Sequence, residues 1–287
     1  MDFLENFDKQ KLQRITLIVI AALTLLALIL LLVIIISSVE GNIGAGGIFG
    51  NTENIEFESK PVTENQLVTG SLVLADDSHP YVVDESALAL IGCQSYRNEH
   101  RTTEKGPYYA GNHMLTSEAM AAAHNMLTDA ESAVGDDDLM IWYAYGQDDG
   151  ITVEYKTAQL IYLSAYEGKP LTEDYSSWLE ANAVKYGFVK KLENGYRYVG
   201  TVHAKYMDDN NMNLEEYIEY LKDKTSHTSP LSIKINKSVY YVYYESAVAG
   251  DNINVPVQTE NSDGSTKYDY TISGTNEGGV IVTVKVK

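Results

Sequence analysis

The chain has 287 residues, a length that suits one large or two small globular units. Its 21 basic and 40 acidic side chains give a formal charge of −19, which argues against nucleic acid and anionic lipid surfaces as partners. The single cysteine excludes an intramolecular disulfide framework and a multi-cysteine metal site.

One apolar segment dominates the N-terminal part. Residues 15–36 carry no charge and would span roughly 33 Å as a helix, about the thickness of a bilayer core. Basic residues precede the segment, none follows it until Lys60, and no small-residue cleavage site is present. The sequence predicts a cytoplasmic tail over 1–14, a single transmembrane anchor over 15–37 and an extracellular body. A lone thiol in such a body favours a Gram-positive cell membrane.

A flexible linker is predicted over residues 38–65. Five glycines within residues 41–50 oppose both a helix and a packed core. They do not form a phosphate-binding loop, because no Gly-Lys-Ser/Thr ending follows them.

The body after residue 66 begins with mixed elements. Leu67–Ala75 reads as a short strand. Ser117–Val134 is predicted to be a helix, because its apolar residues repeat at intervals of three and four and Gly135 follows. Leu139–Tyr145 reads as a strand, and the segment 151–164 as mainly strand.

Two further helices and a strand-rich tail follow. Thr172 caps a helix that ends at Gly187, and the capping box Asn213–Glu216 opens a third helix. From residue 231 onward, four short apolar runs indicate strands. They are Tyr240–Tyr244, Asn254–Gln258, Lys267–Ser273 and Gly279–Val286. The sequence therefore predicts an α+β domain over 66–230 and a C-terminal β extension over 231–287.

Several stretches in order resemble a known family. They are Gly70-Ser-Leu-Val-Leu with His79-Pro-Tyr81, Trp178–Phe188, Tyr196–Met207 running into Leu214–Ile218, and Ile272-Ser-Gly-Thr-Asn with Val280–Val284. Together they resemble the membrane-anchored VanY-type D-alanyl-D-alanine carboxypeptidases, zinc enzymes that trim the peptide stem of bacterial peptidoglycan. The resemblance covers residues 66–287. It implies a VanY/hedgehog-type D-peptidase fold, an antiparallel sheet with helices.

The resemblance also implies a set of functional positions. The family holds zinc with His, Asp and His, uses Glu as general base, and binds the substrate carboxylate with Arg. Its pattern Ser-Glu-His-x-Thr-Gly-Leu-Ala-x-Asp matches Val153–Tyr162, and its Glu-Pro-Trp-His-Phe-Arg-Tyr-Val-Gly matches Leu192–Gly200. The matching residues are Gly146 for Arg, Tyr155 for the first His, Tyr162 for Asp, Leu192 for Glu and Gly195 for the last His.

These five substitutions predict loss of the family's chemistry. A phenol, with a pKa near about 10, is a poor zinc ligand at neutral pH, and glycine offers no side chain. We therefore expect no zinc, no other cofactor and no catalytic residue, and we treat the five positions as a possible binding groove.

The remaining histidines and the cysteine do not form an evident replacement site. His79 and His203 are assigned structural roles, and His227 a solvated loop. No metal-ligand spacing relates His100, His113 and His124. Cys93 is either a nucleophile paired with a histidine such as His100 or a buried inert thiol, and its apolar surroundings favour the second.

Acidic and aromatic residues leave further alternatives. Asp136–Asp138 is interpreted as a solvated turn, because the EF-hand spacing for calcium is absent. Nothing in the sequence brings Glu131 and Glu154 together as a carboxylate pair. Trp142 and Trp178 are predicted to be core residues. The excess of 22 Tyr over five Phe suits sugar or peptide recognition in a wet groove, or simply half-exposed strands.

The leading hypothesis is a membrane-anchored, extracytoplasmic pseudo-peptidase. It would bind the peptidoglycan stem peptide or an envelope protein without hydrolysis. Two alternatives stay open: an active zinc D-alanyl-D-alanine carboxypeptidase whose motifs are misaligned here, and a structural subunit that docks a membrane complex through its β tail and acidic surface.

Overall fold

The computed structural model describes residues 55–100, 107–146, 152–259, 264 and 266–286. The predicted tail 1–14, the predicted anchor 15–37 and the glycine-rich part of the linker lie outside these residues. Within the described ranges, no helix combines the length and apolarity needed to cross a bilayer.

The described residues form short strands and helices that are mixed along the first part of the chain and are followed by five consecutive strands. The strands are β1 (Phe57–Pro61), β2 (Leu90–Gly92), β3 (Tyr108–Tyr109), β4 (Met114–Thr116), β5 (Leu139–Tyr143), β6 (Leu160–Ala165), β7 (Phe188–Leu192), β8 (Gly195–Tyr198), β9 (Leu231–Ile235), β10 (Ser238–Ser246), β11 (Asn252–Pro256), β12 (Tyr268–Gly274) and β13 (Gly279–Val286). The α-helices are α1 (Glu64–Val68), α2 (Cys93–His100), α3 (Ser117–Val134), α4 (Glu173–Asn182), α5 (Thr201–Asp209) and α6 (Leu214–Lys224).

A five-stranded sheet in the order β3-β5-β6-β8-β7 forms the centre of the first half. β3 runs parallel to β5, and the other neighbours are antiparallel. The apolar stripe of α3 packs against this sheet and against α4, and the residues between them are almost fully buried. The helix ends where predicted, because Gly135 adopts the left-handed conformation (φ 77°) that terminates helices.

A second, antiparallel sheet in the order β12-β13-β10-β9 forms the C-terminal part. One cluster of buried residues joins it to the antiparallel pair β1–β11, and this cluster includes Ile253 and Val255 of β11 and Val280, Val282 and Val284 of β13. The tail strands predicted from residue 231 are therefore present. The strand predicted at Asn254–Gln258 pairs with β1 rather than with the other tail strands.

The N-terminal boundary differs from the prediction. The linker was expected to reach residue 65, but Phe57–Pro61 is a strand paired along its whole length with β11. The helix α1 follows immediately, with Thr63 and Gln66 forming a capping box. The apolar residues near this strand, such as Phe57 and Val62, pack on the C-terminal sheet. An extended partner far along the chain therefore orders a segment whose own sequence is polar.

The strand predicted at Leu67–Ala75 is wrong. Its first residues belong to α1, and the rest is irregular backbone held by residues at the end of β12. Leu72 N–H donates to the Ser273 hydroxyl at 2.9 Å, and Leu74 N–H donates to the Thr275 carbonyl at 3.0 Å. These single bonds satisfy the buried backbone without a ladder.

The segment 151–164 is only partly strand. Val153–Thr157 forms a 3-10 turn, with the Thr152 side chain accepting a hydrogen bond from Glu154 N–H, and β6 begins at Leu160. The other two helix predictions are confirmed: Thr172 caps α4, and the capping box of Asn213 and Glu216 opens α6.

Candidate binding cleft

Three of the five predicted groove positions stand in one row across the central sheet. Tyr143 of β5 is paired with Tyr162 of β6, Tyr162 with Gly195 of β8, and Gly195 with Leu192 of β7. Residues directly opposite each other on antiparallel strands share a face of the sheet. The sheet therefore brings Tyr162, Leu192 and Gly195 together, and it adds Tyr143 beside them. We call these four residues the cross-strand row.

The two residues at the far end of the row fit each other. A Cβ built on Gly195 would lie 2.8 Å from Leu192 Cβ. Carbon atoms normally approach no closer than about 3.5 Å. The Leu192 side chain, which is 39% exposed, therefore covers the space that a side chain at position 195 would need.

A β-bulge places two consecutive aromatic residues at the cleft. Ile141 pairs with Leu163 and Tyr143 with Tyr162, so Trp142 is an extra residue in β5. In a regular strand, Trp142 and Tyr143 would point to opposite faces. The bulge lets both line the same cleft. The Trp142 carbonyl at the bulge accepts a hydrogen bond of 2.8 Å from Nε2 of the buried His113.

The cleft has a volume of about 590 Å³. It lies between β5, β6, the turn after β6 and the β7–β8 hairpin. Its lining residues are Trp142, Tyr143, Tyr162, Leu163, Ser164, Gly168, Lys169, Pro170, Leu192, Glu193 and Asn194. The volume falls within the range typical of small-ligand sites, about 300–1,000 Å³.

The indole of Trp142 is held against the turn that follows β6. A Cβ built on Gly168 would lie 2.8 Å from Trp142 Cζ2 and 2.9 Å from its Cη2. Gly168 also has φ 75°, a left-handed conformation that favours glycine. Only glycine therefore allows the ring and the turn to pack this closely.

The other half of this sheet face is closed by a buried arginine. Arg197 of β8 is two residues from Gly195 and therefore faces the same side, but it is fully buried. Its guanidinium donates to the hydroxyl of Thr157 and to the carbonyls of Ser71 and Val73. Burial lowers its pKa, and the Glu154 carboxylate 3.5 Å away opposes that shift.

This arginine network explains where Tyr155 lies. The 3-10 turn Val153–Thr157, which Arg197 fastens to the sheet, contains Tyr155, and the tyrosine is buried rather than placed in the cleft. Ala158 follows in the left-handed conformation with φ 55°. The family pattern matched to Val153–Tyr162 has glycine at this position, so the backbone agrees with that match although the side chain differs.

Gly146 also lies apart from the residues that line the cleft. Its φ of 107° is a glycine conformation, and a Cβ there would stand 3.1 Å from the Asn112 carbonyl oxygen. An arginine at this position would strain the backbone. Sequence matching thus found three positions that share the row and two, Gly146 and Tyr155, that are not part of the cleft lining.

The residues at the matched positions do not fit a zinc ion. Zinc sites use thiolate, imidazole and carboxylate ligands. Here the positions matched to His, Asp and His carry two phenols and a hydrogen atom, and the lining of the cleft offers Glu193 as its single carboxylate. We therefore derive no chemical step through a metal.

The alternative sites considered from the sequence have other surroundings. Cys93 is buried, and burial raises the pKa of its thiol to about 12, which opposes a nucleophilic role. Glu154 pairs with Arg197 and with Lys191 rather than with Glu131. Asp136–Asp138 is the one group of three or more possible metal-binding side chains found in the described ranges, and none of its members lines the cleft.

The predicted structural histidines behave differently from one another. His203 is buried, with Nδ1 3.0 Å from the Tyr217 hydroxyl and Nε2 3.1 Å from the Thr283 hydroxyl, so its structural role is confirmed. His79 bonds Asp76 within a turn. His227 is not simply solvated, because its Nδ1 lies 2.8 Å from a carboxylate oxygen of Glu245.

Sequence reasoning missed several cleft residues. Trp142 was predicted to be core, but it lines the cleft, whereas Trp178 does pack against the core. Lys169 and Asn194 were not singled out. The direction of the Trp142 side chain is set by the bulge in β5, and the pattern of residue types along the strand does not indicate a bulge. The signal that was available is Gly168 between polar residues, which is typical of a turn.

Comparison with known proteins finds some that are similar to this chain in sequence or in fold. No protein-family profile matches the chain. It is 28% identical over 264 residues to a D-alanyl-D-alanine carboxypeptidase of Enterococcus faecium, covering 82% of this chain and 81% of that protein. Its fold is similar to that of the vancomycin resistance D,D-dipeptidase VanXYg in complex with a D-Ala-D-Ala phosphinate analogue. The TM-score is 0.61 at 17% identity, over 80% of this chain and 99% of the other.

A second solved structure, VanYB in complex with D-alanine-D-alanine, matches 52% of this chain and 97% of its own, with 16% identity and a TM-score of 0.36. The 28% identity to the Enterococcus faecium protein supports a relationship to the VanY-like D-alanyl-D-alanine carboxypeptidases, and the match to VanXYg confirms the mixed α+β fold.

Proposed function

We propose that this protein binds the peptidoglycan stem peptide in the cleft over the cross-strand row and does not hydrolyse it. The observation that carries the proposal is the row itself. The positions matched to a zinc ligand, a second zinc ligand and the general base stand side by side, but they carry a phenol, a hydrogen atom and an isobutyl group. A site of this kind can hold a peptide but cannot activate water.

The ligand class follows from relatives and from the lining. The Enterococcus faecium relative is a D-alanyl-D-alanine carboxypeptidase, and VanXYg was solved with a D-Ala-D-Ala analogue. The cleft of this chain keeps aromatic and aliphatic surface at the row and polar groups at its rim, the usual composition of a small-ligand site.

The proposal also includes a location. Residues 15–37 would anchor the chain in the cell membrane as a single span, with residues 1–14 in the cytoplasm and the folded body, which begins with β1 at Phe57, outside.

The test uses the full-length chain purified in detergent. We expect co-sedimentation with isolated peptidoglycan, less than a tenth of an equivalent of zinc by elemental analysis, and no D-alanine release from a stem pentapeptide. The variant Tyr162→Ala should weaken co-sedimentation about tenfold, since a buried contact of this size is worth about 1.4 kcal/mol. Tyr166→Ala, which removes an exposed aromatic ring outside the cleft lining, serves as the matched control.

Two sets of results would contradict the proposal. Zinc near one equivalent together with D-alanine release would establish the active carboxypeptidase. Absence of co-sedimentation, or equal binding by wild type and Tyr162→Ala, would contradict recognition in this cleft.

A further inference from the structure

We propose that the Trp142 end of the cleft is a sugar subsite, which binds an N-acetylated amino sugar of the glycan strand that bears the stem peptide. The inference rests on the proposed function, because it divides the same cleft into two parts. The stem peptide would lie over Tyr162 and Leu192, and the sugar would stack at Trp142.

Two aromatic rings, those of Trp142 and Tyr143, line this end of the cleft, and the ring of Tyr162 follows them at the start of the peptide end. The centroids of Trp142 and Tyr143 are 5.8 Å apart, and those of Tyr143 and Tyr162 are 6.2 Å apart. All three side chains are half-buried, so part of each ring remains accessible. Rings that combine a flat apolar face with a polar edge suit a pyranose, which presents C–H groups on its faces and hydroxyls around its rim.

The tryptophan is held in place before any ligand arrives. Gly168 packs against its six-membered ring, and His113 donates to its backbone carbonyl. A residue whose ring is packed by a turn and whose backbone is fixed by a hydrogen bond loses little conformational freedom when a ligand stacks on it, which favours binding.

The charges of the cleft favour a neutral ligand group. The charged side chains of the lining are those of Lys169 and Glu193, and both residues are exposed. Lys169 Nζ also lies 3.6 Å from a Glu167 carboxylate oxygen. The described lining therefore holds no buried cation that could compensate the charge of a carboxylate. The carboxamide of Asn194, in contrast, can form hydrogen bonds with hydroxyl and acetamido groups.

The experiment follows Trp142 emission in full-length Trp178→Phe protein, which retains Trp142 as its single tryptophan. The probes are the N-acetylglucosaminyl-N-acetylmuramic acid disaccharide with its lactyl carboxyl group amidated, as it is in the complete ligand, the stem pentapeptide without sugar, and the disaccharide-pentapeptide. We expect the disaccharide to change the emission and to compete with the disaccharide-pentapeptide. The dissociation constant of the complete ligand should be at least tenfold lower than that of the pentapeptide alone.

Variants locate the subsite. Asn194→Gly keeps the left-handed turn conformation (φ 58°) and removes the carboxamide, so it should weaken disaccharide binding about fivefold. Trp142→Ala, followed by calorimetry, should abolish disaccharide binding, and Tyr166→Ala should leave it unchanged.

Failure of this inference differs from failure of the proposed function. If the pentapeptide alone binds as tightly as the disaccharide-pentapeptide and the disaccharide does not compete, the sugar subsite is overturned and peptide recognition stands. If none of the three probes binds and intact peptidoglycan does not co-sediment, both proposals are wrong.

Discussion

The side chain of Leu192 occupies the space above Gly195 on the adjoining strand, with its Cβ 2.8 Å from where a Cβ on Gly195 would stand. The two positions are matched to the general base and the last zinc ligand of the related carboxypeptidases. Their present residues are therefore sterically coupled, because a side chain at 195 requires that the side chain at 192 give way.

The coupling predicts non-additive stability changes. Gly195→Ala should lower the free energy of unfolding by about 1–3 kcal/mol through overpacking. Leu192→Gly alone should lower the free energy of unfolding by only about 1 kcal/mol, because Leu192 is 39% exposed and the main cost is the extra backbone freedom of glycine. The double variant Gly195→Ala, Leu192→Gly removes the Leu192 Cβ and should recover most of the overpacking loss, which urea unfolding in a double-mutant cycle measures. Additive single and double variants would show that the two side chains do not compete for space.

The buried arginine should be essential to stability. Arg197→Met leaves the Glu154 carboxylate buried without its main partner, so we expect a loss of about 3–5 kcal/mol in the free energy of unfolding. Adding Glu154→Gln to this variant should restore part of the loss, since it removes the charge.

Lys191 provides the control for this pair. Its Nζ lies 3.5 Å from the other Glu154 oxygen, but the side chain is about half exposed. Lys191→Ala should therefore cost less than about 1 kcal/mol. If Lys191→Ala lowered the free energy of unfolding as much as Arg197→Met does, Arg197 would not be the main partner of Glu154.

His203 should make stability depend on acid pH. Burial lowers its pKa from 6.5 to about 3, so below pH 6.5 the unfolded chain binds a proton at this residue and the folded chain does not. The stability that the neutral ring contributes is complete above pH 6.5 and is lost as pH falls towards 3. The expected slope is at most about 1.4 kcal/mol per pH unit.

The measurement compares the wild type with His203→Gln. Both share every other titrating group, so the difference between their unfolding free energies isolates this histidine. That difference should shrink steadily from pH 6.5 to pH 4.5. A constant difference would mean that His203 titrates alike in both states.

Glu131 should make the stability of the protein depend on alkaline rather than acid pH. Burial, with a smaller contribution from Asp137, raises its pKa from 4.5 to about 8, and its buried Oε1 has no hydrogen-bond partner among the described residues. Its contribution to stability is complete below pH 4.5 and is lost as pH rises through 8. Glu131→Gln should therefore stabilise the protein on the order of 2 kcal/mol at pH 8 and little at pH 4. Thermal unfolding at the two pH values tests this, and equal effects at both would refute it.

Local signals predicted three of the six α-helices in the described residues, because the caps and the periodicity of those three belong to the helices themselves. Ser117–Val134, Thr172 and the box of Asn213 and Glu216 all carry their own boundary residues. The errors arose where contacts with a distant segment determine the local structure. The strand β1 exists because β11 pairs with it, and the segment after Gly70 is irregular because it is held by Ser273 and Thr275.

The same distinction applies to the cleft. The positions Tyr162, Leu192 and Gly195 were found by matching short patterns, and the sheet places them in one row. Trp142 was missed because a bulge changes the direction of its side chain, and the pairing of β5 with β6 creates that bulge. Register is a property of two strands and cannot be read from one.

The cross-strand row draws its four residues from four separate strands. A ligand that contacts all of them binds only the paired sheet and not the unfolded chain, so binding must raise the melting temperature. A ligand at a hundred times its Kd adds about 2.7 kcal/mol to the free energy of unfolding. Thermal-shift screening of cell-wall fragments therefore ranks candidate ligands directly, without any assay of turnover.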